Sequence, residues 1–357
     1  MGILARRAAC GGFEVLVGRR STRSRFMPAH WSFLGGGLEA VDRPGTEGAH
    51  RRCVAREMAE ETGIEVPAER WHPAGLLVTP PMFPIRYRTE FFLAEVDPST
   101  RAPDPPPRPE EIEALRFVDA RTMLEEWEAG QLEVPPILPP QLRVIRDAAG
   151  LSAGELAQRL TETNAWQERT HRIEFVPGVW ALPLRTETLP PATHTNTWLP
   201  GGERFLVVDP GSAEPEDVER LLRVVERRSE GGARPAAVVL THHHRDHVGG
   251  VAEVAARLDL PVLAHPATLQ RLPSTDGVSL RPVEDGEALE LGGLTALARH
   301  TPGHAPGHIV LELPERNVVI AGDLVSGSST IVVPDGSGDM GAYLEALDWL
   351  SRGPWRW

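Results

Sequence analysis

Cysteine is nearly absent: Cys10 and Cys53 are the two in 357 residues. A pair so sparse and so far apart excludes a disulfide framework and a CxxC zinc knuckle, and it fits a reducing, cytoplasmic setting. Long apolar runs are missing as well. No stretch reaches the roughly 20 residues of a bilayer span, and the opening MGILARRAAC lacks the apolar core and cleavage site of a secretory leader, so no membrane partner is expected. Positive charge is in deficit, with 37 Lys and Arg against 50 Asp and Glu for a formal net charge of −13. Proteins that track a phosphate backbone carry a basic surface, so this balance weighs against nucleic acid; a local basic pocket and a single RNA strand stay open.

The length allows two domains, each large enough to bury a core. FEVLVG, FFLAEV and ALRFVD are β-runs in the first half, followed by a helix at ARTMLEEWEAG. The proline-rich stretches APDPPPRPEE and VPPILPPQ are read as exposed loop and helix start rather than as PxxP ligands. Ser152 and Glu155 form a capping box that opens a helix over SAGELAQRLTETNAWQER, taken here as a connector. Short β-runs, FLVVDPG, AAVVL, PVLAHP and NVVIAGD, then alternate with helical stretches such as EDVERLLRVVERR. The expected division is residues 1–150, a connector over 151–171, and residues 172–357.

What is abundant is histidine in one loop. VVLTHHHRDHVGG carries His242, His244, Asp246 and His247 directly after an apolar strand. A strand end presents alternate side chains from a rigid edge, so His242 and His244 can meet one cation while Asp246 and His247 turn to a neighbour. His304 in a Pro-Gly turn and Asp323 at another strand end complete the set, the carboxylate able to bridge two metals. His243 lies out of phase and is read as a surface residue; for His308 a supporting role toward a ligand and a purely structural role stay open.

The order HxHxDH, TPGH, GD resembles the metallo-β-lactamase superfamily, and within it the glyoxalase II-like and β-lactamase-like protein 2 branches. That resemblance covers roughly 172–357 and implies an αβ/βα sandwich holding two Zn²⁺: His242, His244 and His304 on one, Asp246 and His247 on the other, Asp323 bridging. Two cations sharing a water would give a hydroxide nucleophile, with Asp246 orienting it. The superfamily usually adds a late histidine to the second metal; none follows His308, so a truncated end and an incomplete second site are expected.

A second cluster lies upstream. In REMAEETGI, Glu57, Glu60 and Glu61 stand at i, i+3 and i+4 on one helical face, where carboxylates repel unless a cation sits among them. With Gly63 as the stop and WSFLGGGLEAVD upstream, the segment resembles the Nudix box, GX5EX7REUXEEXGU. Arg56, Glu57, Met58, Glu60, Glu61, Gly63 and Ile64 match its second half; in the first half Gly36 leads to Asp42 instead of Glu, and 13 residues, 43–55, replace seven. An inserted box resembles the peroxisomal-type coenzyme A diphosphatases. The resemblance covers about 1–150 and implies an α/β/α sandwich with Mg²⁺ or Mn²⁺ on Glu57, Glu60 and Glu61, one of them serving as base, Arg56 orienting a glutamate, and Glu39 a weaker candidate. The short segment before FEVLVG points to a shortened or missing first strand.

Both halves are α/β (α+β), and the expected protein is a metal-dependent hydrolase of small molecules. The second domain would hydrolyse a thioester or phosphodiester; the first would cleave or bind a nucleoside-diphosphate-linked, coenzyme A-like ligand. Two alternatives stand beside it: a silent Nudix module that regulates the hydrolase, and a single-strand ribonuclease in the second domain.

Overall fold

The computed structural model describes residues 1–9, 11–80, 85–273, 275, 277–327 and 329–355. The chain divides into two units, Met1–His171 and Arg172–Trp357.

The first unit is a mixed sheet between helices. Its strands are β1 (Gly2–Arg7), β2 (Phe13–Arg20), β3 (Trp31–Ser32), β4 (His72–Val78), β5 (Arg88–Val96) and β6 (Ile112–Asp119), and its helices α1 (Ala49–Thr62), α2 (Ala120–Glu128), α3 (Leu138–Arg146) and α4 (Ala153–Thr170). The strand order is β3-β2-β1-β5-β4, with β6 on the other edge of β2, and β1 runs parallel to β5. Period-two alternation sends Ile3, Ala5, Val15 and Val17 to one core with residues of α2, α3 and α4, and Leu4 and Leu16 to another with Val54 and Met58 of α1. A full first strand is therefore present, against the sequence expectation. Ala5 and Leu4 are wholly buried in it, and the six residues are enough because β1 lies inside the sheet and is paired on both edges.

The helix expected as a connector, α4, packs on β4 and belongs to the first unit. Its capping box is formed: Ser152 Oγ accepts from Glu155 N, and Glu155 Oε2 accepts from Ser152 N. Leu156, Ala157 and Leu160 enter the core, and the buried Asn164 donates to Ala74 O while accepting from Gln141.

The second unit stacks two sheets. β7 (Ile173–Val176), β8 (Val179–Arg185), β9 (His194–Pro200), β10 (Arg204–Val208), β11 (Arg234–Val239), β12 (Val262–Ala264) and β13 (Leu280–Pro282) form one, in the order β13 to β7. β14 (Ala288–Glu290), β15 (Thr295–His300), β16 (Ile309–Leu313) and β17 (Val318–Ile320) form the other. Leu206, Val208 and Val239 of the first meet Ala296, Ala298, Leu311 and Ile320 of the second. Outside lie α5 (Pro215–Glu230), α6 (Arg245–Val248), α7 (Val251–Leu258) and α8 (Pro266–Leu269); α9 (Met340–Arg352) covers the outer face of the second sheet through Ala346 against Val310 and Leu324. This αβ/βα layering puts the C-terminal ends of β10, β11, β15 and β17 on one rim, where open α/β sheets bind ligands.

No helix among the described residues is long and apolar enough to cross a membrane.

Candidate functional site

Each residue singled out in the second unit follows one of those strand ends. His242, His244, His304 and Asp323 bring one ligand atom apiece within 4.8 Å of one another, and Asp246, His247 and Asp323 form a second such group that shares the aspartate. Among the described residues these are the groups of that kind, both in the second unit.

Hydrogen bonds on the far side of each ring fix which nitrogen is bare. Thr241 Oγ1 donates to Asp209 Oδ2 at 2.6 Å, so at 3.0 Å it accepts from His242 Nδ1–H, leaving His242 Nε2 a lone pair. His304 Nδ1–H donates to Val332 O at 2.6 Å, leaving its Nε2 bare as well. Those two lone pairs then face each other at 3.3 Å, with His244 Nδ1 2.8 Å from His304 Nε2. His244 Nδ1 is the one ring nitrogen here that could donate, and a single proton cannot satisfy both lone pairs. A tetrahedral zinc ion with bonds of about 2.0–2.1 Å has ligand–ligand edges of roughly 3.3 Å, so this donor set fits a metal.

His247 repeats the pattern. Its Nδ1–H donates to Asp209 Oδ2 at 2.8 Å, and the buried Nε2 faces Asp323 Oδ1 at 3.1 Å and Asp246 Oδ2 at 3.9 Å. Burial works to lower the pKa of His247, but Asp209 and then Asp323 outweigh it and hold the ring well above an ordinary histidine. Burial likewise works to raise Asp323, yet the His247 bond and charge bring it to about 2. Both directions describe a site in which a proton on His247 takes the place of a cation. Burial and neighbouring rings push His244 down to about 4 and His242 well below the usual range, which keeps both neutral and ligand-ready.

Asp209 was not singled out in the sequence. Its carboxylate is 2% exposed and accepts from Thr241 N, Thr241 Oγ1 and His247 Nδ1. It follows β10 at φ 52°, a left-handed conformation that Asp and Asn tolerate better than most residues. The available signal was a strand-end aspartate in VVDPG, which reads equally well as an ordinary turn. His308 proves to support the aspartate: its Nε2 accepts from Asp323 N at 3.1 Å, so its Nδ1–H donates to Thr301 Oγ1. His243 stays outside both groups, half-buried with Nδ1 unbonded. The glycines of DHVGG are steric: a Cβ at Gly249 or Gly250 would strike the carbonyl of Gly211 or Ser212, which lie beside Asp209.

In the first unit, α1 carries the carboxylates. Glu61 Oε2 accepts from Gly35 N at 2.9 Å, and burial, then the charge of Glu57, raises Glu61 to about 7. Glu57 is also raised by burial, and its carboxylate occupies the space a Cβ at Gly36 would need. Two desolvated carboxylates against a glycine backbone fit a hard cation. Glu60 departs from that picture: Arg108 holds it at 2.8 Å and Arg56 at 3.4 Å, so Glu57, Glu60 and Glu61 do not form a three-ligand group among the described residues.

The 43–55 insertion does not displace Asp42, which is 2% exposed and 2.9 Å from Arg56, and whose pKa the Arg56 hydrogen bond lowers. A one-turn 3-10 helix, Ala40–Asp42, delivers it. Arg56 also bonds Glu57 at 3.0 Å and Gly37 O at 3.1 Å, so it orients both an aspartate and a glutamate. Glu39 is exposed and 3.9 Å from Arg56.

Each unit matches a family of hydrolases. Residues 2–136 match the NUDIX domain model and residues 190–352 the metallo-beta-lactamase superfamily model, so the chain carries a NUDIX domain followed by a metallo-beta-lactamase domain. Among particular relatives it is similar to the lactamase-like protein nscB of Aspergillus fumigatus, 32% identical over 167 residues, 46% of this chain and 47% of that one. It is also similar to the atrochrysone carboxyl ACP thioesterase of Emericella nidulans, 35% identical over 154 residues, 43% and 46% of the two chains. The chain thus spans about half the length of the curated relatives it matches. A solved structure, TTHA1623 in a di-iron-bound form, is 34% identical with a TM-score of 0.38, covering 48% of this chain and 88% of that one.

Proposed function

We propose that the second unit hydrolyses a thioester with two divalent metal ions, zinc in the first instance. The observation that carries this is the convergence of imidazole nitrogens from His242, His244 and His304, two of them bare, beside a second group, Asp246 and His247, that shares Asp323. Bound metals supply a hydroxide nucleophile and polarise the carbonyl oxygen.

The chain's own residues do the rest. His242, His244 and His304 would hold one ion and Asp246 and His247 the other, with Asp323 belonging to both groups. Asp209 keeps the His247 proton on Nδ1, and His308 holds the backbone of Asp323. Thr195 Oγ1 reaches Asp246 Oδ2 at 3.5 Å, steadying the carboxylate that would orient the attacking oxygen. A thiolate is a good leaving group because thiols ionise near a pKa of about 8.5, so a thioester asks little of a general acid. The named activity of the ACP thioesterase relative supports the same choice.

The first unit, in this reading, takes a nucleoside-diphosphate derivative, with Mg²⁺ or Mn²⁺ on Glu57 and Glu61. Glu60 joins only on leaving Arg108, and that engagement favours a second reading in which the unit binds its ligand without cleaving it. Replacing Glu60 and Glu61 by glutamine separates the two: loss of diphosphate cleavage supports catalysis, while retained binding with no cleavage in either protein supports the module.

The test of the main reading is metal content with thiol release. Purified protein should hold about two zinc ions per chain and free a thiol from acyl thioesters, and His244→Ala should lower both the zinc content and, by roughly 100-fold or more, the rate. Zinc-loaded protein that cleaves a phosphodiester but no thioester would overturn the substrate class. Full metal content in His244→Ala would overturn the ligand assignment.

A further inference from the structure

The first unit carries a feature that neither metal reading uses. Residues 19–25, RRSTRSR, hold four arginines and no acid in a chain of net charge −13. They begin at the end of β2 and form the tip of the hairpin that returns through β3. Phe26 follows, 51% exposed, and its ring meets that of Tyr87, 50% exposed, edge to face at 5.7 Å. Two half-exposed aromatic rings from segments about 60 residues apart leave apolar faces open to water, where each would be worth burying.

The backbone strains to present them. Met27 and Ala29, just past Phe26, take φ of 47° and 62°, left-handed values that side chains other than Gly, Asn and Asp seldom adopt. Arg20 is fixed beneath: its Nε donates to Phe26 O at 3.0 Å and its guanidinium lies 6.0 Å from the Phe26 ring. Arg23, Arg25 and Arg86 are exposed, and none has an acidic partner among the described residues. The base of the tip reaches toward the carboxylate helix, with the charge of Arg20 acting on Glu61. Ser21 N donates to Glu111 O, and Arg108, three residues before Glu111, holds Glu60.

We propose that the hairpin tip at residues 20–26, with Tyr87, is a nucleotide-recognition platform beside the α1 carboxylates: Phe26 and Tyr87 stack a base, and Arg23 and Arg25 take phosphate oxygens. Open aromatic faces suit any flat base, and guanidiniums without an acidic partner suit phosphate oxygens. The platform rests on the reading of the first unit as a binder of nucleoside-diphosphate derivatives and names the residues that read the nucleoside. The carboxylates alone offer nothing that tells a nucleoside diphosphate from bare diphosphate.

The experiment is calorimetric titration of the full-length protein, with Mn²⁺, by α,β-methylene-ADP and by methylenediphosphonate, neither of which can be cleaved between its phosphorus atoms. Wild type should bind the nucleotide the more tightly. Phe26→Ala and Tyr87→Ala should each weaken the nucleotide by about 5-fold or more while leaving methylenediphosphonate unchanged. Arg23→Gln with Arg25→Gln should weaken the nucleotide and flatten its dependence on salt. Both rings are half in solvent, so circular dichroism should show every variant folded.

Equal nucleotide affinity in wild type and Phe26→Ala overturns the platform. Binding of both probes with no preference for the nucleotide overturns it too, yet leaves the diphosphate reading of the unit standing. Binding of neither probe removes both. Single-stranded RNA held more tightly than the nucleotide overturns the ligand class.

Discussion

Asp209 shows how much a single carboxylate sets in the second unit. It accepts three hydrogen bonds while buried, and each places a proton: on Thr241 N, on the Thr241 hydroxyl, and on His247 Nδ1. The hydroxyl, its own proton committed, then fixes the tautomer of His242. Asp209→Asn keeps the shape but puts an NH₂ group on one of the two oxygen positions: at Oδ2 it opposes both the Thr241 hydroxyl and His247 Nδ1–H, at Oδ1 it opposes Thr241 N–H, so either orientation loses part of the network that sets the two histidines. Zinc titration should show the affinity of the weaker site falling by about 10- to 100-fold, and an unchanged titration would remove Asp209 from the metal centre.

The ligand candidates were legible in the sequence because metal chemistry demands particular residue types at strand ends, and few other pressures collect four histidines in one loop. Asp209 was not, because its partners lie 32 and 38 residues ahead and only the fold brings them near. Asp42 illustrates the reverse case. A side chain shorter than glutamate and an insertion leave its place open on paper, and the 3-10 turn before the insertion brings it to 2.9 Å from Arg56.

Among elements, α9 is joined to the metal centre through a glycine. Gly303 sits at φ 139° beside His304, with the backbone of Tyr343 where a Cβ would go, and its carbonyl accepts from Asp339 N at the helix cap. Tyr343 OH then donates to Leu324 O, next to Asp323. Gly303→Ala should cost about 2 kcal/mol or more through backbone strain and the clash, and should loosen zinc along with it. A urea midpoint unchanged from wild type would mean that the contact is not made in solution. TPGH could be read as a turn from composition, but the helix that needs its glycine lies some 40 residues later and could not. Similarly, the pattern of α4 specified its cap and its length; that it packs on β4 instead of bridging depends on which apolar face finds a sheet. β1 was missed because six residues beside a glycine pair look too short, until β5 pairs with them in parallel.

Among the described residues of the whole molecule, each unit has its own cores. Calorimetry should accordingly resolve two transitions, of which zinc raises one. At 100 times its dissociation constant, zinc adds about 2.7 kcal/mol, a rise of roughly 5–10 °C for a unit of this size. A single transition that moves as one would contradict the independence of the cores. The pattern of apolar residues announced two bodies, since each half repeats the strand-and-helix alternation with its own cluster of chemistry.

The carbonyl of Val332 holds the proton of His304, and a main-chain acceptor is blind to the side chain it belongs to. Val332 itself is 46% exposed. The stretch running from Asp323 to α9 can therefore exchange side chains at 332 while the bond that aims a metal ligand persists. Drift in what this edge presents to solvent is thereby uncoupled from the orientation of His304, a division of labour in which the main chain keeps the aim and the side chain stays free to vary.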